Sequence, residues 1–253
     1  YHALPEFATS KGEPNGALYG LSAMLLKIIG ELKPNFLVAC FDLPGPTYRH
    51  EVYDAYKSGR AKLDDNLVSQ LERAKDVFTA FGIPIYSNPG FEADDIIGTI
   101  VHNLKKNKDI EIIIASGDMD ALQLVDDKQV QVYTLKKGIN DTILYDEKKV
   151  TERFGFPPKL LVDYKGLRGD PSDNIIGVKG IGEKTATSLV TTFGTIEQMY
   201  KELKKPALSA EALAKAGISE RIRNLLIENE EEALFSKTLA TIRTDALIHF
   251  VLP

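Results

Sequence analysis

The stretch Glu111-Ile112-Ile113-Ile114-Ala115-Ser116-Gly117-Asp118-Met119-Asp120 runs from a continuous apolar segment straight into two aspartates. A short apolar run closed by glycine predicts a strand buried on both faces, with the acids at its carboxyl end. The same order recurs elsewhere. The run Phe36-Leu37-Val38-Ala39-Cys40-Phe41 is followed directly by Asp42. A short strand over 83–86 precedes Glu92, Asp94 and Asp95, which open a helix expected over 93–106. Apolar positions at helical spacing (Leu18, Leu21, Leu25, Ile28, Ile29, Leu32) predict a helix over 16–32, ended by Lys33-Pro34. A further helix over 66–81 stops at Gly82, and strands are expected over 130–135 and 142–145. Strands alternating with helices predict an α/β fold, a mostly parallel sheet flanked by helices. Beyond about residue 150 helix signals and glycine turns take over, so residues 1–153 and 154–253 read as an α/β unit and a helical unit.

The bulk composition is that of an ordinary globular chain: 253 residues, 43% hydrophobic and 26% charged. No apolar run approaches the length of a membrane span, and Tyr1-His2-Ala3-Leu4-Pro5 lacks the features of a signal peptide. The single cysteine, Cys40, allows no internal disulfide and fits a buried thiol in a reducing cytoplasm. The net charge of −5 argues against a nucleic-acid partner only if the acids are evenly spread. Eight of them are not. Setting aside Asp42, Glu92, Asp94, Asp95, Asp118, Asp120, Asp170 and Asp173 leaves the remainder at +3.

In an open parallel sheet the carboxyl ends of the strands share one edge, so most of these eight carboxylates are expected to meet there. Crowded carboxylates repel one another, and hard divalent cations with oxygen ligands relieve the conflict. A cluster this large suits two Mg²⁺ ions, with Mn²⁺ as a substitute. Paired ions activate a water and stabilise the leaving oxygen in phosphodiester hydrolysis. An acid at a helix start is by itself more simply a cap or a dipole partner. The recurrence after successive strands is what favours a metal centre. The four histidines, His2, His50, His102 and His249, show no ligand spacing.

Gly177, Gly180 and Gly182 fall within six residues of the segment that runs from Asp173 into Lys184-Thr185. This pattern, over about 170–192, resembles a helix-hairpin-helix. There the backbone of Gly177, Gly180 and Gly182 approaches a phosphate, helped by Lys179, Lys184 and Thr185, without reading base sequence. A nucleotide-binding P-loop is excluded because Glu183 interrupts the Gly-Lys-Thr order and no strand precedes it. Between about 43 and 65, the cations Arg49, Lys57, Arg60 and Lys62 interleave with Tyr48, Tyr53 and Tyr56. Cations hold phosphates and tyrosines stack on unpaired bases, although a solvated loop has the same composition.

The stretches Thr9-Ser10-Lys11-Gly12-Glu13-Pro14, Tyr48-Arg49-His50-Glu51, Tyr56-Lys57-Ser58-Gly59-Arg60, Phe91-Glu92-Ala93-Asp94-Asp95, Gly117-Asp118-Met119-Asp120, Gly169-Asp170-Pro171-Ser172-Asp173-Asn174, Gly180-Ile181-Gly182-Glu183-Lys184-Thr185-Ala186 and Leu239-Ala240-Thr241-Ile242-Arg243-Thr244-Asp245 occur in that order. Together they resemble the 5′-nuclease family of bacterial DNA polymerase I, within the flap endonuclease superfamily. The resemblance implies a PIN-like nuclease core and a helical DNA-binding unit. It implies a metal-dependent enzyme, cytoplasmic, bacterial and monomeric, that cuts DNA at 5′ ends and flaps. The eight carboxylates then fall on metal positions. Arg49, Tyr53, Lys57 and Arg60 fall on an arch that passes the single strand, and residues 177–185 on the duplex-binding hairpin. Met119 stands where the family usually has a basic residue. The family also opens with a strand bearing an Asp-Gly pair, upstream of the position of Tyr1. The natural protein is therefore expected to extend before Tyr1, and a DNA-binding module of impaired activity is the alternative reading for a chain without that strand. A linked polymerase domain after Pro253 and a stand-alone nuclease are both compatible with the sequence. A phosphatase using Asp42 as nucleophile is disfavoured, because Leu43-Pro44 stands where its second aspartate would be.

Overall fold

The computed structural model describes residues 7–137, 141–205 and 217–252; His2, the rest of the opening segment and Pro253 lie outside them. Helix α1 (Gly16–Leu32) ends where Lys33 takes a left-handed φ of 46° and its amide closes back on the Ile29 carbonyl. Pro34 then prevents any continuation. Gln70 of α3 (Asp65–Ala80) is buried and accepts from the Ala17 amide at 2.7 Å, which serves the open start of α1. Asp64 caps α3 itself by accepting from the Asn66 amide.

Strands β1 (Ala39–Cys40) and β2 (Ile85–Tyr86) pair in parallel, Ala39 opposite Ile85. Strand β3 (Ile112–Ala115) pairs in parallel with β4 (Val130–Lys137), and β4 pairs antiparallel with β5 (Asp141–Tyr145). The parallel pairings follow the sequence reading. The β4–β5 pair cannot be parallel, because the few residues between these strands are too short for a crossover. Among the described residues the strands form two small sheets rather than one continuous sheet. Helix α4 (Ala93–Leu104) packs against both β1 and β3 and so joins them. The run over 36–41 pairs only through its last part, since β2 offers two residues; Phe36 is 53% exposed.

Helix α2 (Tyr48–Val52) follows β1. Helices α5 (Glu147–Phe154), α6 (Leu161–Arg168), α7 (Glu183–Phe193), α8 (Ile196–Leu203), α9 (Glu220–Glu228) and α10 (Glu230–Ala240) form the second half. One buried cluster runs from Val101, Ile114 and Val132 through Phe156 and Leu167 to Leu189, Met199 and Leu226. The two halves therefore share a core, and the change near residue 153 is one of secondary structure, not a break in packing. Buried Asp163 of α6 locks this half by accepting from the Ile196 amide and from Lys237 of α10.

After α10 the chain returns to the first half. The Arg243 amide donates to Asp95, and the Ala246 amide to the Thr99 hydroxyl of α4. Gly98 makes this approach possible: a Cβ there would lie 2.5 Å from the Ile242 side chain and 2.7 Å from the Arg243 carbonyl oxygen. No helix among the described residues is long and apolar enough to cross a membrane.

Candidate active site

Asp42 lies just past β1, and its carboxylate accepts from the Ala93 amide at 2.7 Å, at the start of α4. Glu92 and Asp94 flank that same helix start. Asp118 and Asp120 follow β3, where Asp118 accepts from the Asp120 amide. Asp170 and Asp173 sit in the turn between α6 and α7. Glu92, Asp94, Asp118, Asp120 and Asp173 line one cleft together with Arg49, Tyr56 and Lys57. Asp118 and Asp120 are thus brought together with Asp173 of the hairpin turn, while Asp42 and Asp170 lie outside the lining.

Asp94 shows what this crowding does. Burial, then the nearby Asp118, Asp120, Glu92 and Asp42, pushes its carboxyl up to about 7. Asp120 is also raised by burial, although Lys165 pulls the other way. Asp170 is held below the ordinary carboxylate range, because Lys165 and Ser172 outweigh the effect of burial.

Three cations answer the remaining acids. Lys165 of α6 donates to Asp120 and to Asp170, the latter at 2.6 Å. Lys57 donates to Glu92 at 2.7 Å, and Arg60 to Asp173 at 2.6 Å. The buried Tyr56 hydroxyl lies 3.2 Å from Glu92 and 3.1 Å from Asp173. With their oxygens turned onto these partners, no three acids among the described residues converge closely enough to ligate one ion. The donor set nonetheless suits a hard cation: oxygen ligands throughout, with like charges forcing one of them toward neutrality. Sequence reasoning missed Lys165. Its only signal is its place one helical turn before the Gly169-Asp170 turn.

Two of the expected residues are bonded inside the protein. Asp95, read as a metal ligand, is fully buried and absent from the cleft lining. One oxygen accepts from Arg49 and the Arg243 amide, the other from Arg49 and the Glu92 amide. It is a helix cap and an ion-pair partner, the simpler reading of an acid in the first turn. Arg49, read as a DNA contact, is 3% exposed and bonded internally. Burial opposes its charge, but Asp95 and Glu92 outweigh burial and hold it protonated.

The segment carrying Tyr53, Lys57 and Arg60 is docked rather than free-standing. Tyr53 packs edge-on against Phe235 of α10. The Lys57 amide donates to the Asp173 carbonyl, and the Asn174 amide side chain to the Ala55 carbonyl. Lys57 sits at a φ of 55°, a strained value for a residue with a side chain. Cys40 is half-buried, and burial followed by Asp94 pushes its thiol up to about 12, which favours the neutral thiol.

In the hairpin, Lys179, Gly180, Gly182 and Lys184 are exposed and Thr185 is half-exposed. Gly182 precedes α7 and provides no side-chain cap, so the amides of the first turn face outward uncapped. Gly177 has an internal role: at φ 66°, a Cβ there would lie 2.2 Å from the Gly169 nitrogen.

A carboxylate cleft at strand ends, with a backbone-presenting glycine hairpin beside it, is the arrangement of a nuclease. The chain belongs to the 5′-3′ exonuclease family, matching its N-terminal resolvase-like domain over residues 1–155 and its C-terminal SAM fold over 156–253. It is 38% identical over 252 residues to DNA polymerase I of Bacillus caldotenax, covering 100% of this chain and 27% of that protein. It is 36% identical over 248 residues to DNA polymerase I of Bacillus subtilis, covering 98% and 27%. The chain thus spans about a quarter of the length of the curated relatives it matches. Among solved structures, it is similar to a bacteriophage T5 flap endonuclease in a pseudo-enzyme-product complex with DNA and metal ions, with a TM-score of 0.73 at 21% identity over 94% of this chain and 85% of that one. T5 5′-exonuclease with bound zinc gives 0.62 at 22% identity, over 88% and 90%. The catalytic core of Rad2 in complex with DNA substrate gives 0.56 at 16% identity, over 100% and 79%. At these identities the likeness is one of fold.

Proposed function

We propose that this chain is a structure-specific 5′-3′ exonuclease and 5′-flap endonuclease that hydrolyses DNA phosphodiesters with two divalent ions, Mg²⁺ by preference and Mn²⁺ as a substitute. The observation that carries the reading is the gathering of Glu92, Asp94, Asp118, Asp120 and Asp173 in one cleft, where burial and the neighbouring acids push the Asp94 carboxyl up to about 7. Divalent cations relieve such crowding of like charges. Asp42, Glu92, Asp94, Asp118 and Asp120 would hold ions near the strand ends, with Asp170 and Asp173 contributing from the hairpin side. Bound there, the ions supply activation of a water and stabilisation of the departing oxygen.

The chain's own cations take the substrate. Lys57 and Arg60 now rest on Glu92 and Asp173. Once those acids hold metal instead, both side chains are free to meet a phosphate. Tyr53 lies on the same segment. The uncapped start of α7, with Lys179, Lys184 and Thr185, tracks the duplex backbone. The DNA polymerase I relatives support a cytoplasmic, bacterial protein carrying a linked polymerase region, and the T5 and Rad2 complexes support DNA as substrate.

The test is cleavage of a labelled 5′-flap duplex. Cutting should require Mg²⁺ or Mn²⁺ and stop in excess EDTA. Asp118→Ala should nearly abolish it while flap binding stays measurable. Full activity in EDTA would exclude the metal reading, and binding without any cutting would leave a DNA-binding module.

A further inference from the structure

We propose that Arg49 is a positioning residue that fixes Glu92 for ion binding, and that it does not contact DNA. This rests on the two-ion reading above. The guanidinium has five N–H donors, and all five are spent inside the protein. Its Nε donates to the Leu239 carbonyl at 2.9 Å. One terminal nitrogen donates to Asp95 at 2.8 Å and to Glu92 at 3.3 Å. The other donates to Asp95 and to the Thr241 carbonyl, both at 2.9 Å. The group also lies over the ring of Tyr48 at 4.6 Å, with that of Tyr56 farther off at 5.9 Å. A phosphate would have to break a buried, bidentate pair to reach it.

The pattern at Glu92 says what the arginine does. Its Oε2 accepts from Arg49 and lies 3.2 Å from the Tyr56 hydroxyl, whose one proton is shared with Asp173, whereas its Oε1 accepts from Lys57. Oε2 is therefore pinned from the protein side. Oε1, now on a lysine that is partly exposed, is the oxygen that can exchange its partner for an ion. Arg49 also ties this carboxylate to the end of α10 through two main-chain carbonyls some 190 residues away in sequence. Asp95 completes the device: it anchors Arg49 and accepts from the Glu92 amide, so one buried carboxylate sets both the arginine and the glutamate backbone. Groups that orient a ligand in this way are typically worth about 10–100-fold in metal affinity.

The test compares wild type, Arg49→Gln and Asp95→Asn. Mn²⁺ binding to the metal-free protein is measured calorimetrically, and flap-DNA affinity in EDTA by fluorescence anisotropy across a salt series. Both variants should bind Mn²⁺ about tenfold or more weakly. DNA affinity in EDTA should stay within about twofold of wild type, with the same salt slope. An Arg49→Gln protein that keeps its Mn²⁺ affinity and loses DNA affinity with a shallower salt slope would make Arg49 a phosphate contact. Tighter Mn²⁺ binding by Arg49→Gln would make it a competing cation and restore Asp95 as a ligand; either result overturns the proposal. If Arg49→Gln does not unfold cooperatively, the isosteric Asp95→Asn decides, and unchanged Mn²⁺ affinity there is equally fatal. Failure of the two-ion reading shows separately, as absence of Mn²⁺ binding by wild type.

Discussion

The ammonium of Lys165 spans Asp120, which follows β3, and Asp170, in the turn after α6. It stands between the strand-end acids and the hairpin acids, with its own side chain 15% exposed. Burial works against its charge, but Asp120 and Asp170 outweigh burial and raise its affinity for the proton. In the absence of metal it is an internal counter-ion.

Replacing Lys165 by Met should therefore destabilise the metal-free protein. Leaving two carboxylates without their partner costs on the order of 1–3 kcal/mol, and each kcal/mol is a fall of about 2–4 °C in a chain of this size. Saturating Mg²⁺ should narrow the gap, since ions then supply the missing positive charge. Thermal unfolding followed in EDTA and in Mg²⁺ checks this. Equal melting temperatures for the two proteins in EDTA would show that the ammonium holds nothing together.

Asp94 gives the opposite sign. Folding raises its carboxyl from 3.8 to about 7, through burial first and its acidic neighbours second. The folded state then holds the proton more tightly than the unfolded state does. The contribution of this group is most favourable below pH 4 and is lost as the pH rises toward 7. Asp94→Asn removes the group that must be charged at a cost. In EDTA at pH 8 the variant should melt higher than wild type, and near pH 3.5 the advantage should vanish. Mg²⁺ should stabilise wild type at pH 8 more than the variant. A variant that melts lower than wild type at pH 8 in EDTA would contradict the crowding.

The strand-end acids were legible because two rules meet in them: apolar runs of strand length, and carboxylates immediately after. Asp42, Asp118 and Asp120 are read from that alone, whereas Asp94 is read from its place at the start of a helix. Asp95 differs from these in being fully buried on internal partners, and helix geometry gives the reason. Adjacent residues on a helix point about 100° apart, and here Asp94 lines the cleft while Asp95 is turned into the protein. The internal bonding of Arg49 was not legible. An arginine saturated by Leu239 and Thr241 carbonyls looks, in a list of residues, like one that grips phosphate. The division into two small sheets was likewise hidden, because it depends on which strands lie side by side and not on where they begin and end.

Gly98 was unread for a similar reason, since its partner arrives only at the end of the chain. It lies inside α4, where alanine would be favoured by helix propensity by about 1 kcal/mol. Packing decides the other way, because the Arg243 carbonyl oxygen stands 2.7 Å from where a Cβ would be. Gly98→Ala should lower stability by about 1–3 kcal/mol and loosen the return segment over 241–252. Denaturant unfolding with hydrogen exchange at the Arg243 and Ala246 amides checks this. A variant as stable as wild type, with both amides equally protected, would show that the approach is not tight.

Gly177 and Gly182 stand at opposite ends of the hairpin loop and answer to different demands. A Cβ at Gly177 would meet the Gly169 backbone at 2.2 Å, and its φ of 66° is unsuited to side chains, so Gly177→Ala should unfold the turn. Gly182 has ordinary extended backbone with φ −90°, and a Cβ there would meet nothing within 4 Å. The fold asks little of a glycine at Gly182 beyond a serviceable N-cap, worth up to about 1 kcal/mol against alanine. If the missing Cβ matters more than that, it matters to something outside the chain. Gly182→Ala should therefore keep its melting temperature within a few degrees and lose duplex affinity in EDTA. The loss should be alike for all sequences and accompanied by a shallower salt dependence, because a phosphate contact is what the methyl group obstructs. Undiminished affinity for every duplex would remove the start of α7 from the DNA interface, and a loss confined to certain sequences would mean that the hairpin reads bases rather than backbone.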